Sequence, residues 1–359
     1  MKKRKIYTNF SIILLVFGLI IFFFQVDFSE NLNKEEIFKK KGNKIKIVGY
    51  NTIITDWVEN VVGNLGEVDA IVKGATDIHT YTYTSADVQK VAMADVFIKM
   101  GINGLEPNVD NLIAAAQQSN PTLKVFTLKN STRDDRFGIK IKIDPLLGSS
   151  GGPNDHFWMS PLNAMILVKK ICHNMTLLYP TNETYFNSSR DIYINKLNAL
   201  MERINTTFKY YYNGLKLVIN HPAFIYLFEL LGINRTRAIE NVLGAEPTAL
   251  HLAEIIDFMT NNNDVNIIIV NPQHSDEHAI QLARDTGSKL VYLTPLLGVY
   301  NIYTYIEMID YDIISLYNPV DPPTDPLNNI WIQWLIYIFI IGAIASVVLL
   351  LYWRYKPSN

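Results

Sequence analysis

The chain has one cysteine, Cys172, in 359 residues. That excludes an intramolecular disulfide and any CxxC redox or metal motif. It has no basic excess: 32 Lys and Arg stand against 34 Asp and Glu, a net charge of −2. Nucleic acid is therefore not an expected partner. Charged residues are only 18% of the chain and hydrophobic ones 49%, so wholesale disorder is excluded and a core can form. A length of 359 residues suggests about two globular units.

Charge is missing altogether from two stretches. Residues 6–26 and 330–353 carry none, and a bilayer core needs about 20 apolar helical residues. Trp331, Trp334, Tyr352 and Trp353 flank the second stretch, as interfacial aromatics would. Lys2 to Lys5 precede the first stretch, and Arg354 and Lys356 follow the second. The positive-inside rule then puts both termini in the cytoplasm and the segment between them outside. The localisation expected is a cell-membrane protein with two spans and an extracellular main domain. A cleaved signal peptide is the alternative for residues 6–26, but no small-residue cleavage site follows Phe24. Six N-x-S/T triplets, at Asn130, Asn174, Asn182, Asn187, Asn205 and Asn234, fit a glycoprotein exposed outside.

Between the two stretches, short apolar runs alternate with helical periodicity. Strands are expected at Ile45–Val48, Val68–Val72, Val96–Met100, Lys124–Leu128, Leu215–Ile219, Val265–Val270 and Leu290–Leu293. Ser160–Pro161 is a strong helix start, a capping side chain followed by proline. Thr181 to Tyr212 reads as one long helix stopped at Asn213–Gly214. The fold class expected is α/β: two lobes with parallel sheets, joined by one long rigid helix and flanked by N- and C-terminal transmembrane helices. The domain plan runs as follows: tail 1–5, span 6–26, linker 27–44, first lobe 45–180 and connecting helix 181–213. It continues with second lobe 214–317, Pro-rich stalk 318–329, span 330–353 and tail 354–359.

Three of the seven histidines lie in loops after strands or before helices, where α/β proteins place ligand groups. They are His79 in GATDIHTYTYTSAD, His156 in GSSGGPNDHFWMSP and His221 in NHPAFIY. Three neutral imidazoles plus water make a tetrahedral zinc set. On residue chemistry alone, two readings stand: a shared metal site, or separate loop histidines with ordinary hydrogen bonds.

The contexts of these histidines resemble a known family. The run from Gly74 through IHTYTYTSADVQKVAMADVFIKMGINGLEP is similar to the metal-binding loop of the cluster A-I solute-binding proteins, the zinc and manganese receptors of ABC importers. NDHFWMSPLNA and NHPAFIYLFELLGI resemble that family's second and third ligand motifs. IIIVNPQHSDEHAIQLARDTGSKLVYL resembles its last strand–helix–strand run. The resemblance spans about Lys46 to Gly298 in order and implies His79, His156 and His221 as metal ligands. It also implies a receptor that delivers a divalent ion, Zn(II) first with Mn(II) or Fe(II) as alternatives, to an ABC importer permease, without enzymatic turnover. The family's acidic fourth ligand has no counterpart in Leu293–Leu297, and residues 133–153 contain no histidine-rich loop. The fourth position is then water or a group not yet placed.

Other residues carry blander expectations. His173 and His251 are structural helix residues, Asp77 a turn residue, and Tyr81 and Tyr83 packing aromatics. His274 and His278 flank Asp276 and Glu277 at a helix start; they stand either as a solvated N-terminus or as cleft groups beside the metal. Two other functions compete with the receptor. One is a zinc-dependent ectoenzyme, which lacks an HExxH motif or any other assigned base. The other is a surface adhesion or scaffold protein that keeps the fold.

Overall fold

The run IKIVGYN, buried on both faces except at Lys46, forms β1 (Ile45–Asn51), and Asn51 then ends the strand by capping α1 (Thr52–Val62) through its side chain on the Ile54 N–H. The computed structural model describes residues 44–102, 104–129, 139, 141–242, 244–324 and 330–355. Of two compact units, Met1–Lys44 lies outside the described residues except for Lys44, and Ile45–Asn359 holds all the rest.

The first lobe adds β2 (Gly66–Val72), α2 (Ser85–Ala92), β3 (Val96–Lys99), α3 (Val109–Ser119) and β4 (Lys124–Thr127). Its four strands pair in parallel in the order β2-β1-β3-β4. A reciprocal cap between Thr84 and Asp87 starts α2. A short antiparallel hairpin follows, β5 (Lys142–Asp144) with β6 (Gly152–Asn154). Then comes α4 (Pro161–Leu178), capped by Ser160 as its Ser–Pro start implies.

The connecting segment is α5 (Glu183–Arg203), one π turn (Ile204–Phe208) and α6 (Lys209–Tyr212). The expected single helix is thus one continuous rod with a local widening. At that widening Thr206 turns its hydroxyl back onto the Glu202 carbonyl, the competition that β-branched hydroxyl residues bring to helices.

The second lobe contains β7 (Lys216–Ile219), α7 (Ile225–Leu231), β8 (Asn234–Ala238), α8 (Ala249–Asn261), β9 (Ile267–Val270), α9 (Glu277–Thr286), β10 (Lys289–Tyr292) and α10 (Tyr305–Ser315). Its sheet is also parallel, in the order β10-β9-β7-β8. The edge strand β8, with sequence NRTRA, escapes apolar periodicity because an edge carries polar side chains. Arg235 of this strand grips the buried Asp144 of β5 with both guanidinium nitrogens, tying the hairpin to the second lobe.

One buried cluster runs through both lobes, with Trp57 and Ile47 from the first and Leu217, Leu293 and Tyr305 from the second. A smaller cluster around Ile255, Val265 and Leu282 covers the other face of the second sheet. The lobes are also stitched by polar bonds, Thr52 Oγ1 to Leu297 and Trp158 Nε1 to the Pro295 carbonyl, and Tyr193 of the connecting helix donates to Asp56 of the first lobe.

The two-span cell-membrane localisation needs correction. Among the described residues no helix is long and apolar enough to cross a membrane. Residues 1–5, 6–26 and 27–43, the expected tail, span and linker, lie outside the described residues, as do Asn130, residues 325–329 of the stalk and the last four residues. A last helix, α11, covers Ile330–Tyr355, with side chains described over 334–349. The flanking transmembrane helices of the expected fold are therefore withdrawn, while the two-lobed parallel α/β architecture stands.

Candidate metal centre

The carboxyl ends of both sheets face one point. His79 hangs in the loop between β2 and α2, His156 follows β6, and His221 sits two residues past β7. Their donor nitrogens converge: His156 Nε2 lies 3.4 Å from His79 Nε2 and 3.2 Å from His221 Nε2. Four ligands at ~2.0–2.1 Å around zinc stand about 3.3–3.4 Å apart along a tetrahedral edge. The two measured separations match such an edge. The void between the rings is about 10 Å³, room for one small ion and little else.

The partners of the other ring nitrogens settle the tautomers. His79 Nδ1 faces the Gly104 carbonyl at 3.3 Å, and a carbonyl only accepts, so Nδ1 carries the hydrogen. His221 Nδ1 donates to the Glu240 carboxylate at 2.6 Å. His156 Nδ1 faces Asn154 Oδ1 at 3.3 Å. That amide is oriented by its own nitrogen, which donates to Asp144 Oδ2 and the Pro222 carbonyl. Each Nε2 therefore presents a lone pair to the same small void. Three converging lone pairs repel one another unless a cation sits between them, and the outer hydrogen bonds aim each ring at that point.

Burial holds the His156 and His221 imidazoles well below the usual histidine range, reinforced by the neighbouring histidines. Both are thus neutral and ready to donate a lone pair. One side of the chamber wall is apolar, with Trp158, whose ring centroid is 5.0 Å from that of His156, Pro295 and Leu296; the other carries Asp77, Asn271, Gln273 and His274. The Leu293–Leu297 turn brings no carboxylate to the chamber.

Other histidines fall where their contexts direct them. His251 Nε2 meets the Ala238 carbonyl at 2.8 Å, and His173 lies on an exposed face of α4. Asp77 makes a local turn, accepting from the His79 N–H and the Thr80 hydroxyl. His274 stacks on His221 at 3.9 Å, and its Nδ1 is 3.4 Å from Glu240. Sequence reasoning missed Glu240. Its clue was faint, a lone glutamate two residues past an edge strand with no apolar signature.

Residues 47–318 match the family described as zinc-uptake complex component A, periplasmic. The chain belongs to this family. It is 24% identical over 270 residues to the zinc-binding protein AdcA of Streptococcus pyogenes serotype M3, covering 71% of this chain and 51% of that one. It is 25% identical over 284 residues to the iron-binding protein YfeA of Yersinia pestis, covering 76% of this chain and 85% of that one. The chain thus spans about half the length of the AdcA relatives it matches. Among solved structures, a zinc-bound ZnuA deletion mutant superposes with a TM-score of 0.65 at 19% identity, covering 79% of this chain and all of that one. This places the two-lobed zinc-uptake fold on the chain.

Proposed function

We propose that this chain is a solute-binding receptor that captures a divalent transition-metal ion between its lobes and delivers it to the permease of an ABC importer. The ion sits on Nε2 of His79, His156 and His221, with water completing the tetrahedron. The observation that carries this reading is the convergence of three imidazole Nε2 atoms, with His156 Nε2 at tetrahedral-edge spacing from the other two. Zinc is the first choice of cargo. Three imidazoles and no carboxylate suit a borderline-soft ion, whereas Mn(II) favours oxygen donors. The names of the relatives agree, since AdcA is called zinc-binding and YfeA iron-binding.

The enzyme alternative needs a general base within hydrogen-bond reach of a metal-bound water. Among the described residues, the carboxylate nearest the histidines, Glu240, is engaged with His221 Nδ1 on the far side of that ring from the metal point. Competition calorimetry tests the cargo. Zinc should bind once per chain and outcompete manganese by at least about tenfold, or ~1.4 kcal/mol. Equal or tighter manganese binding would sink the three-histidine reading.

A further inference from the structure

Beside the three-histidine chamber lies a larger cavity of about 310 Å³. The loop after β2 and the ends of β7, β8 and β9 enclose it. Asp77, Glu240, Glu246, His274 and His278 line it, and no Lys or Arg does. Its chemistry therefore favours a cation and offers none of the positive side chains an anion would need. Asp77, Gln273 and His274 line both this cavity and the chamber, so these side chains form the partition between them.

The two spaces differ in what they can hold. At ~30 Å³ per water the larger cavity has room for about ten molecules, enough for an ion with its hydration shell. The chamber, about 10 Å³, has no room for a full hydration shell. Between the two stands a second set of donors. His221, Glu240 and His274 offer ligand atoms within 4.8 Å of one another, on the side of His221 away from the chamber. Farther out, His278 Nε2 lies 3.2 Å from Glu246 Oε2, a carboxylate almost fully in solvent.

We infer that this cavity is the path by which the divalent cation reaches and leaves the chamber. Glu246 and His278 form its outer station, and Glu240 with His274 the inner one. A hydrated ion would exchange waters for these oxygens and nitrogens one at a time, then pass the partition to the three Nε2 atoms. No charge moves except the ion's own. The inference rests on the three-histidine receptor reading and adds a route to it.

The test uses the full chain and zinc alone. Glu246→Gln with His278→Asn removes the outer station and leaves the three Nε2 ligands untouched, and both side chains are exposed enough to be replaced without loss of folding. Stopped-flow loading, and release into excess chelator, should both slow by at least about fivefold, with the equilibrium Kd within about twofold of wild type. A station on the path lowers one barrier, which is crossed in both directions, so by detailed balance the two rates fall together. Unchanged rates would overturn the route. So would faster release with unchanged loading, since that marks a surface charge acting on the bound ion only. Wild-type stoichiometry, and its loss in His221→Ala, report on the three-histidine reading separately.

Discussion

The two lobes hold their histidines by different means. His79 of the first lobe hangs from a loop, fastened by the Asp77 turn at its backbone and by a neutral carbonyl, Gly104, at its ring. His221 of the second lobe sits at a strand end, is buried, and donates to a carboxylate at 2.6 Å. A charge-assisted bond is roughly twice as strong as a neutral one. It also pushes electron density toward Nε2, making His221 the more basic ligand. The comparison separates two ways of fixing a ring: a charge-assisted bond to a carboxylate in the second lobe, and a neutral carbonyl in the first.

The largest expected effect breaks the comparison at its strong end. His221→Ala should weaken zinc binding by at least about a hundredfold, more than changes to the outer partners usually cause. It should also remove most of the zinc-dependent rise in Tm. That rise corresponds to ~2.7 kcal/mol at about a hundred times Kd. Calorimetry and thermal unfolding at matched zinc concentration check both. Full retention of the shift would exclude a site shared between the lobes.

A smaller effect sharpens the comparison. Glu240→Gln keeps an acceptor oxygen for His221 Nδ1 and removes the charge, so zinc affinity should fall by about ten- to a hundredfold. Asn154→Ala removes only a neutral amide behind His156 and should cost less in binding. If the two losses are equal, the carboxylate adds nothing beyond orientation.

The smallest effect is the response to pH. Protons compete with the metal for Nε2. Three imidazoles with pKa values near 6.5 would cost about sixtyfold in zinc affinity between pH 8 and pH 6. Burial holds His156 and His221 well below that range, so the loss should stay under about tenfold. The same depression has a sign for stability. In the metal-free chain these two residues bind fewer protons folded than unfolded, so their contribution is complete above about pH 6.5 and fades as acid charges the unfolded state. Asp155, pushed up to about 6, and Glu106, pushed up to about 7, both by burial, pull the other way. They bind more protons folded, and their effect on stability grows less favourable as pH rises through those values. Zinc titrations across pH report the imidazole contribution alone.

Much of the fold was legible because its strands are buried on both faces and read as unbroken apolar runs, as IIIV of β9 does. The cap at Ser160 likewise speaks in local chemistry. Among the elements that escaped were the short β5–β6 hairpin, the polar edge strand β8 and the helix α10. Membrane spans were inferred from apolar length, flanking aromatics and terminal charge, and among the described residues no helix is long and apolar enough to cross a membrane.

The sequence by itself determined which three histidines to consider, since each sits in a local motif beside a strand or helix end. Local order cannot say that His79 and His221, 142 residues apart, point at one void. Nor can it say that Asn154 and Glu240 fix which nitrogen each ring offers. Those facts depend on how two sheets face each other across a shared core and on which acceptor lies behind each ring. Both are distances between residues far apart in the chain, so only the tertiary structure could decide them.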